Sequence, residues 1–380
     1  MSRESIVLVH GSDMSIPDGA THRVTAFVKA LTEANYNVHL VTPKPKGKVP
    51  VELHDAKVHI APVTARKAWT TYDPIEQIMR GLTVLQIAKT IASREKAIIQ
   101  IEHSLLGGLA TLIGLKDFIL DVHDILHASP AYHKAIQRLA YIMEGKAVNS
   151  ALKIIVVSNV MRRFLCRQWK IPREKIVVIP NGYWAEKINH IKSRMKDYEC
   201  KDYFIARVGL ISEYFNVEAL IQLAKAVKDV SRVLLVGDGV LRPYLEYRLR
   251  KENIKNVTIT GLLPYEKSME MIMKAQVAFE CVKKNLTTML AFPVKIFDYA
   301  SLEKAMSLAE PSEVSYIFKQ RNAALVSETS NIEEFIENIL KLLYDEKLRK
   351  NLGKRAKELA KEYSWENQGK KLVQFYESYY

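Results

Sequence analysis

The chain has 380 residues, 48% of them apolar, and its 56 lysines and arginines outnumber 42 acidic residues to give a formal charge of +14. This length supports two domains with separate cores, and the basic balance favours anionic partners: nucleotide sugars, phospholipid head groups or nucleic acid. Nucleic acid is set aside because no basic stretch is interleaved with aromatic residues. Three scattered cysteines, Cys166, Cys200 and Cys281, argue against a zinc centre or a disulfide framework, and no run of about 18 apolar residues could span a membrane.

From its first residues, MSRESIVLVHGSD, the chain enters a strand without the long apolar core of a signal sequence. A cytoplasmic, reducing location is expected. Short β-branched runs then alternate with helical patterns. In the first half, strands are predicted at 5–10, 37–42, 97–102, 118–123, 153–158 and 175–179, and helices at 20–34, 74–93, 130–150 and 159–169. After the polar segment 185–201 come strands at 203–207, 232–236, 257–260, 277–280, 305–309 and 323–326. Helices at 217–228, 242–252, 265–274, 295–301, 332–344 and 346–363 separate them. Such alternation is the signature of parallel α/β sheets, so the expected fold is α/β with two Rossmann-like domains facing one another.

The most informative stretch runs from Arg232 to Tyr299. An apolar strand, RVLLVGD, ends in Gly237-Asp238-Gly239; a second, VTITG, ends in Gly261; and PVKIFDY, from Pro293, reads as a helix start. A glycine where a strand stops lets a phosphate or ribose approach the backbone, and a helix N-terminus offers free N–H groups to an anion. The order describes a cradle for a nucleoside diphosphate, with Asp298 on a helix face from which it could reach a ribose.

These runs resemble the C-terminal domain of GT-B glycosyltransferases, in particular the large retaining glycosyltransferase family 4, where V-G-x-G, V-x-F-x-G and P-x-K-x-x-E-Y recur in this order. Ile179-Pro180-Asn181-Gly182 is similar to the family's domain hinge, and Tyr363-Ser364-Trp365-Glu366 to the start of its return helix, so the resemblance covers most of the chain. It implies a GT-B fold with an N-terminal acceptor-side domain (1–183), a C-terminal nucleotide-sugar-binding domain (184–365) and a final helix (366–380) crossing back to the N-terminal domain. It also implies a hexosyltransferase that moves a sugar from a nucleoside diphosphate sugar to a hydroxyl of a glycan or lipid-linked acceptor. Configuration would be retained, without metal or cofactor.

The same resemblance assigns residues. Asp298 would accept both ribose hydroxyls, Gly261 and Leu262 would meet the base, and Pro293 and Val294 the diphosphate. Arg207, matching the family's G-R-L strand end, would neutralise the leaving group. Its usual Lys-Gly partner is missing, Phe215-Asn216 standing in its place, which leaves Lys295 as the nearest substitute. The acid expected eight residues before Asp298 is Leu290, so sugar contacts fall to Thr287, Thr288 and backbone N–H groups. In the N-terminal domain Gly19, Thr21, His22 and Arg23 resemble the family's glycine-rich first loop. His103 and His123-Asp124 end two parallel strands, where open α/β sheets bind ligands, and the family places a histidine like His123 near the reacting sugar. Plainer readings stand beside these: a helix-capping acid, a strand-end arginine, a turn glycine, a buried structural histidine.

The expected helix 130–150 and the following 160–164 combine apolar positions with Lys134, Arg138, Lys146, Arg162 and Arg163. In family members with lipid-linked acceptors such a basic face rests on an anionic membrane, so the resemblance implies peripheral contact, beside the plainer reading of a solvated face. Two rival functions share the plan. One is a UDP-sugar 2-epimerase; the other is a catalytically degenerate scaffold subunit, favoured by the missing lysine, by Leu290 and by Glu303-Lys304-Ala305 in place of the family's Gly-Lys-Pro.

Overall fold

The computed structural model describes residues 4–64, 74–195 and 204–379; Cys200, and Tyr203 with which the expected strand at 203–207 opens, lie outside them. The chain divides into two units, Met1–Asn181 with Leu290–Phe292 and Trp365–Tyr380, and Gly182–Met289 with Pro293–Ser364.

The first unit is built on a parallel sheet of β1 (Ser5–Val9), β2 (Asn37–Lys44), β3 (Lys57–Thr64), β4 (Ile98–Glu102), β5 (Phe118–Val122), β6 (Lys153–Val156) and β7 (Ile176–Val178), in the order β3-β2-β1-β4-β5-β6-β7. Helices α1 (Gly19–Glu33), α2 (Pro74–Glu95), α3 (Ser104–Leu112), α4 (Lys134–Ser150) and α5 (Asn159–Trp169) connect them. Ile6, Val7, Leu8 and Val9 are fully buried, as a continuous apolar run must be in a sheet covered on both faces. Asp18 starts α1 by accepting from the Thr21 N–H at 2.8 Å.

Two elements were not foreseen. β3 lies at the sheet edge and contains Pro62, a residue tolerated in edge strands but one that breaks the strand pattern. α3 carries Gly107 and Gly108, poor helix formers by propensity. Here close packing demands them: a Cβ on Gly107 would lie 2.6 Å from Leu120 Cδ1, and one on Gly108 2.6 Å from the Met143 carbonyl oxygen of α4. The helix expected at 130–150 begins only at Lys134, where the His133 ring accepts from the Ala135 N–H at 3.4 Å.

In the second unit α6 (Ala185–Arg194) leads to a parallel sheet of β8 (Phe204–Val208), β9 (Arg232–Val236), β10 (Val257–Ile259), β11 (Val277–Cys281), β12 (Ala305–Ala309) and β13 (Leu325–Val326), ordered β10-β9-β8-β11-β12-β13. Its helices are α7 (Val217–Ala226), α8 (Arg242–Lys251), α9 (Tyr265–Lys274), the short α10 (Leu286–Leu290), α11 (Val294–Ser301), α12 (Glu313–Gln320), α13 (Ile332–Tyr344) and α14 (Glu346–Ala360). The polar segment after the first series is thus partly helical, its Ile188 and Ile191 burying one face of α6. α12 was also unforeseen; Ser312 caps it, while Val314 and Phe318, four apart, are buried.

Glu303 sits between α11 and β12 with φ +59°, a left-handed conformation that explains a glycine in the family pattern. Ion pairs with Lys192 and Lys357 hold it there. The last helix, α15 (Trp365–Tyr379), belongs to the first unit, where Tyr376 donates to Gln100 Oε1 at 2.7 Å and Gly369 lies against Ala30 of α1. Among the described residues no helix is long and apolar enough to cross a membrane.

Candidate functional site

Strand order reverses between β8 and β11 in the second unit, and ligands of open α/β sheets bind beyond the strand ends at such a point. Arg207 on β8 and Glu280 on β11 meet there. Arg207 Nε donates to Glu280 Oε1 at 2.7 Å, and the ammonium of Lys295, on the first turn of α11, lies 2.7 Å from Glu280 Oε2. Arg207 also donates to the Gly209 and Leu210 carbonyls and packs over the Phe215 ring at 4.5 Å. Phe215 therefore occupies part of the place of the missing Lys-Gly and supports the arginine from one face.

Exposure separates the two cations. The Arg207 side chain is 3% exposed and Glu280 1%, whereas Lys295 is 24% exposed. Burial would raise the Glu280 carboxyl, yet the charges of Arg207 and Lys295 outweigh it and hold the group below the usual carboxylate range. Burial and the neighbouring Arg207 lower the Lys295 amine, against the pull of Glu280. The cluster carries two positive charges and one negative, and its accessible part is the lysine.

Asp298 stands one turn further along α11, 4% exposed, and accepts from the Tyr265 hydroxyl at 2.7 Å. Burial pushes its carboxyl up to about 7, against the Tyr265 hydrogen bond and the charge of Lys295. Pro293 precedes α11 and provides no side-chain cap, so the first N–H groups, from Val294 on, face no capping side chain. Glu310, beyond β12, is likewise buried and pushed up to about 7, although Ser312 and Ser315 donate to it.

The glycine cradle differs from expectation. A Cβ on Gly237, at φ +151°, would lie 2.2 Å from the Gly209 carbonyl oxygen, and one on Gly239 2.5 Å from that of Ile211. The backbone of the loop after β8 already fills the space that these glycines leave, held by Gly209 N–H to Val236 O and Ile211 N–H to Asp238 O. Asp238 is engaged with Gly239 N–H and Arg242. Gly261, at φ +75°, is less crowded, and Leu262 beside it is exposed. Thr288 turns its hydroxyl to the Lys283 carbonyl at 2.8 Å and accepts from Asn285 N–H, so it stabilises the turn into α10 and does not face outward. Leu290 is buried.

In the first unit the corresponding reversal lies between β1 and β4. Around it gather His10, Glu102, His103, Asp121 and His123. The His103 and His123 rings are edge to face, 5.6 Å apart, and His123 Nδ1 is 3.9 Å from Glu102 Oε2. Burial lowers all three imidazoles, His10 to about 4 and His123 well below the usual histidine range. His103 takes φ +87° and caps α3, its Nδ1 accepting from the Leu105 N–H. Asp124 and Gly19 are exposed, and His22 and Thr21 lie on the first turn of α1.

Arg23 departs from the first-loop expectation. It is fully buried and grips Asp121 with two bonds of 2.6 and 2.9 Å, while Nη1 donates to Ile179 O and Asn181 Oδ1. That geometry ties strand ends together and leaves no donor facing solvent. Ligand atoms of Glu102, Asp121 and His123 lie within 4.8 Å of one another. As a metal set they are poor, because both Asp121 oxygens are committed to Arg23.

Glu280, Glu102 and Asp121 were absent from the sequence-derived site. Each is a lone acid in an apolar strand, and that is a usable signal, since a charge carried into a parallel sheet requires a partner. Tyr265 left no comparable signal.

Two Rossmann-like units of matching strand order are the plan of the GT-B class. Two adjacent family models match, one described as Glycosyltransferase Family 4 over residues 17–186 and one as Glycosyl transferases group 1 over 192–359. The chain belongs to this GT-B glycosyltransferase family. It is 27% identical over 222 residues to an uncharacterised glycosyltransferase of Methanocaldococcus jannaschii, and 26% identical over 218 residues to the alpha-galactosylglucosyldiacylglycerol synthase of Streptococcus pneumoniae. These matches take in 58% and 54% of this chain, and only 58% and 56% of those proteins. Among solved structures, sucrose-phosphate synthase from Thermosynechococcus elongatus superposes with a TM-score of 0.82 at 16% identity, covering 99% of each chain. Anabaena HepE in complex with UDP and glucose gives 0.74 at 16% identity, covering 99% of this chain and 100% of that one. At such identities the likeness is one of fold.

Proposed function

We propose that the chain transfers a sugar from a nucleoside diphosphate sugar to a hydroxyl acceptor with retention of configuration. The observation that carries this reading is the pairing, on one turn of α11, of an accessible cation, Lys295, with a buried acceptor, Asp298, at the strand-order reversal. The lysine and the free N–H groups from Val294 would receive the diphosphate, and Arg207 would add its charge from behind Glu280. The ribose would meet the Asp298 oxygen that Tyr265 leaves open, with the base near Gly261 and Leu262. The neutral imidazole of His123 would orient a sugar hydroxyl. A front-face reaction of this kind needs no separate protein base, because the leaving phosphate oxygen can take the acceptor's proton.

A lipid-linked acceptor on an anionic surface is the finer part of the proposal. α4 exposes Leu139, Tyr141 and Ile142 together with Lys134, Arg138 and Lys146, a face suited to a charged apolar boundary. The lipid named in the streptococcal relative supports the same choice.

Thermal shift with UDP-, GDP- and ADP-sugars tests the donor, since a ligand at about 100 times its dissociation constant stabilises by about 2.7 kcal/mol. Proton NMR of the product anomeric centre then tests retention. A protein that is stabilised by none of the three loses this reading. One that binds a donor but turns over no acceptor supports the scaffold reading, which the burial of Arg207 and Leu290 favours. The epimerase reading has no observation in its favour.

A further inference from the structure

Glu280 is the acid of the strand-end cluster that pairs with both cations. Its two oxygens are divided, one to Arg207 and one to Lys295, each at 2.7 Å. The Lys295 amine is drawn in beside the backbone of the loop after β8: a Cβ on Gly209, at φ +125°, would lie 2.6 Å from Nζ. Arg207, on the other side of the carboxylate, is immobilised by two carbonyls and the Phe215 ring.

Resting on the nucleotide reading above, we propose that Glu280 is a positioning residue. It holds the Lys295 ammonium charged and aimed at the diphosphate, so that a single accessible lysine serves where the family uses an arginine with a second cation.

The physical case is electrostatic. A half-buried amine beside a guanidinium is pushed towards its neutral form, through lost hydration and like-charge repulsion; a carboxylate placed between the two opposes that push and limits how far the amine is lowered. The groups facing this point are Arg207 from β8, Glu280 and Cys281 from β11, Asp298 and Tyr299 from α11, and Glu310 from the end of β12. Burial raises Cys281 and Tyr299, which stay uncharged at neutral pH. Asp298 and Glu310 titrate near 7 and are ionised above it.

The test is the pH dependence of UDP affinity, measured by calorimetry above the range of those two acids. In Glu280→Gln the amine loses its proton at lower pH, so affinity should fall about tenfold more than in wild type between about pH 7.5 and about pH 9.5. Glu280→Gln combined with Lys295→Arg should abolish that extra slope, because arginine stays protonated. Glu280→Asp keeps an anion for Arg207 but is one methylene short of Lys295. It gives the same direction with a smaller change, and serves if the glutamine variant does not fold. A slope equal to wild type in the folded variant, or a loss equal at every pH, overturns the positioning role while leaving nucleotide binding intact. A wild-type protein that binds none of UDP, GDP and ADP overturns both.

Discussion

The two sheets share an order but finish their strands differently. In the first unit the reversal point carries imidazoles that burial keeps neutral, beside an Arg23–Asp121 pair whose charges cancel out of reach of solvent. In the second, one buried carboxylate is shared by two cations, and the excess positive charge surfaces at Lys295. One backbone plan thus produces a polar, uncharged edge suited to hydroxyl groups and a cationic edge suited to phosphate. The side chains at the last strand positions decide which.

The largest expected effect probes how each unit compensates its buried acid. Arg23→Ala leaves Asp121 buried without a counter-charge and should cost about 3–5 kcal/mol in urea unfolding. Arg207→Ala should cost less, because Glu280 keeps Lys295. Equal losses would mean that the lysine contributes no compensation.

Protonation gives the next contrast, with opposite signs for His10 of the first unit and for the raised acids Asp298 and Glu310 of the second. His10 has a folded value near 4 against 6.5 unfolded, so below 6.5 the unfolded chain takes up a proton that the folded one refuses. Stability from this residue falls as pH drops towards 4, by roughly 3 kcal/mol in all. Asp298 and Glu310, raised to about 7, act the other way: the folded chain keeps protons that the unfolded one releases, and stability falls as pH climbs from about 4 to about 7. Urea unfolding across that range should show His10→Asn less sensitive to acid, and Asp298→Asn less sensitive to the rise.

On the cationic edge, Asp298→Ala should weaken UDP binding by about tenfold to a hundredfold, as expected for a charge-assisted hydrogen bond of about 1.5–3 kcal/mol. An unchanged dissociation constant would remove the residue from the site. The smallest effect concerns the basic face of α4. Each lysine or arginine near an anionic surface contributes about 1 kcal/mol, and salt screens it. Sedimentation should show capture by anionic vesicles, release at high salt and no capture by neutral ones. Equal indifference to both would favour a soluble acceptor.

Much of the fold was legible because strand and helix periods are local properties of the chain. The runs at 232–236, 265–274, 305–309 and 332–344 coincide with β9, α9, β12 and α13. Where local preference and packing disagreed, the reading failed: Gly107 and Gly108 look like a break and are a helix, because α4 and β5 approach too closely for any side chain.

By itself, then, the sequence determined the alternation of strands and helices, the parallel class of both sheets, and the presence of Lys295 and Asp298 on one helix turn. Only the tertiary structure decided the partners. Arg207 and Glu280 are 73 residues apart, and Arg23 and Asp121 98 apart. They meet because strand order sets β8 against β11, and packing carries α1 to the end of β5. A buried charge accepts whichever counter-charge the fold brings within reach, and that choice depends on contacts between distant segments, which no local pattern encodes.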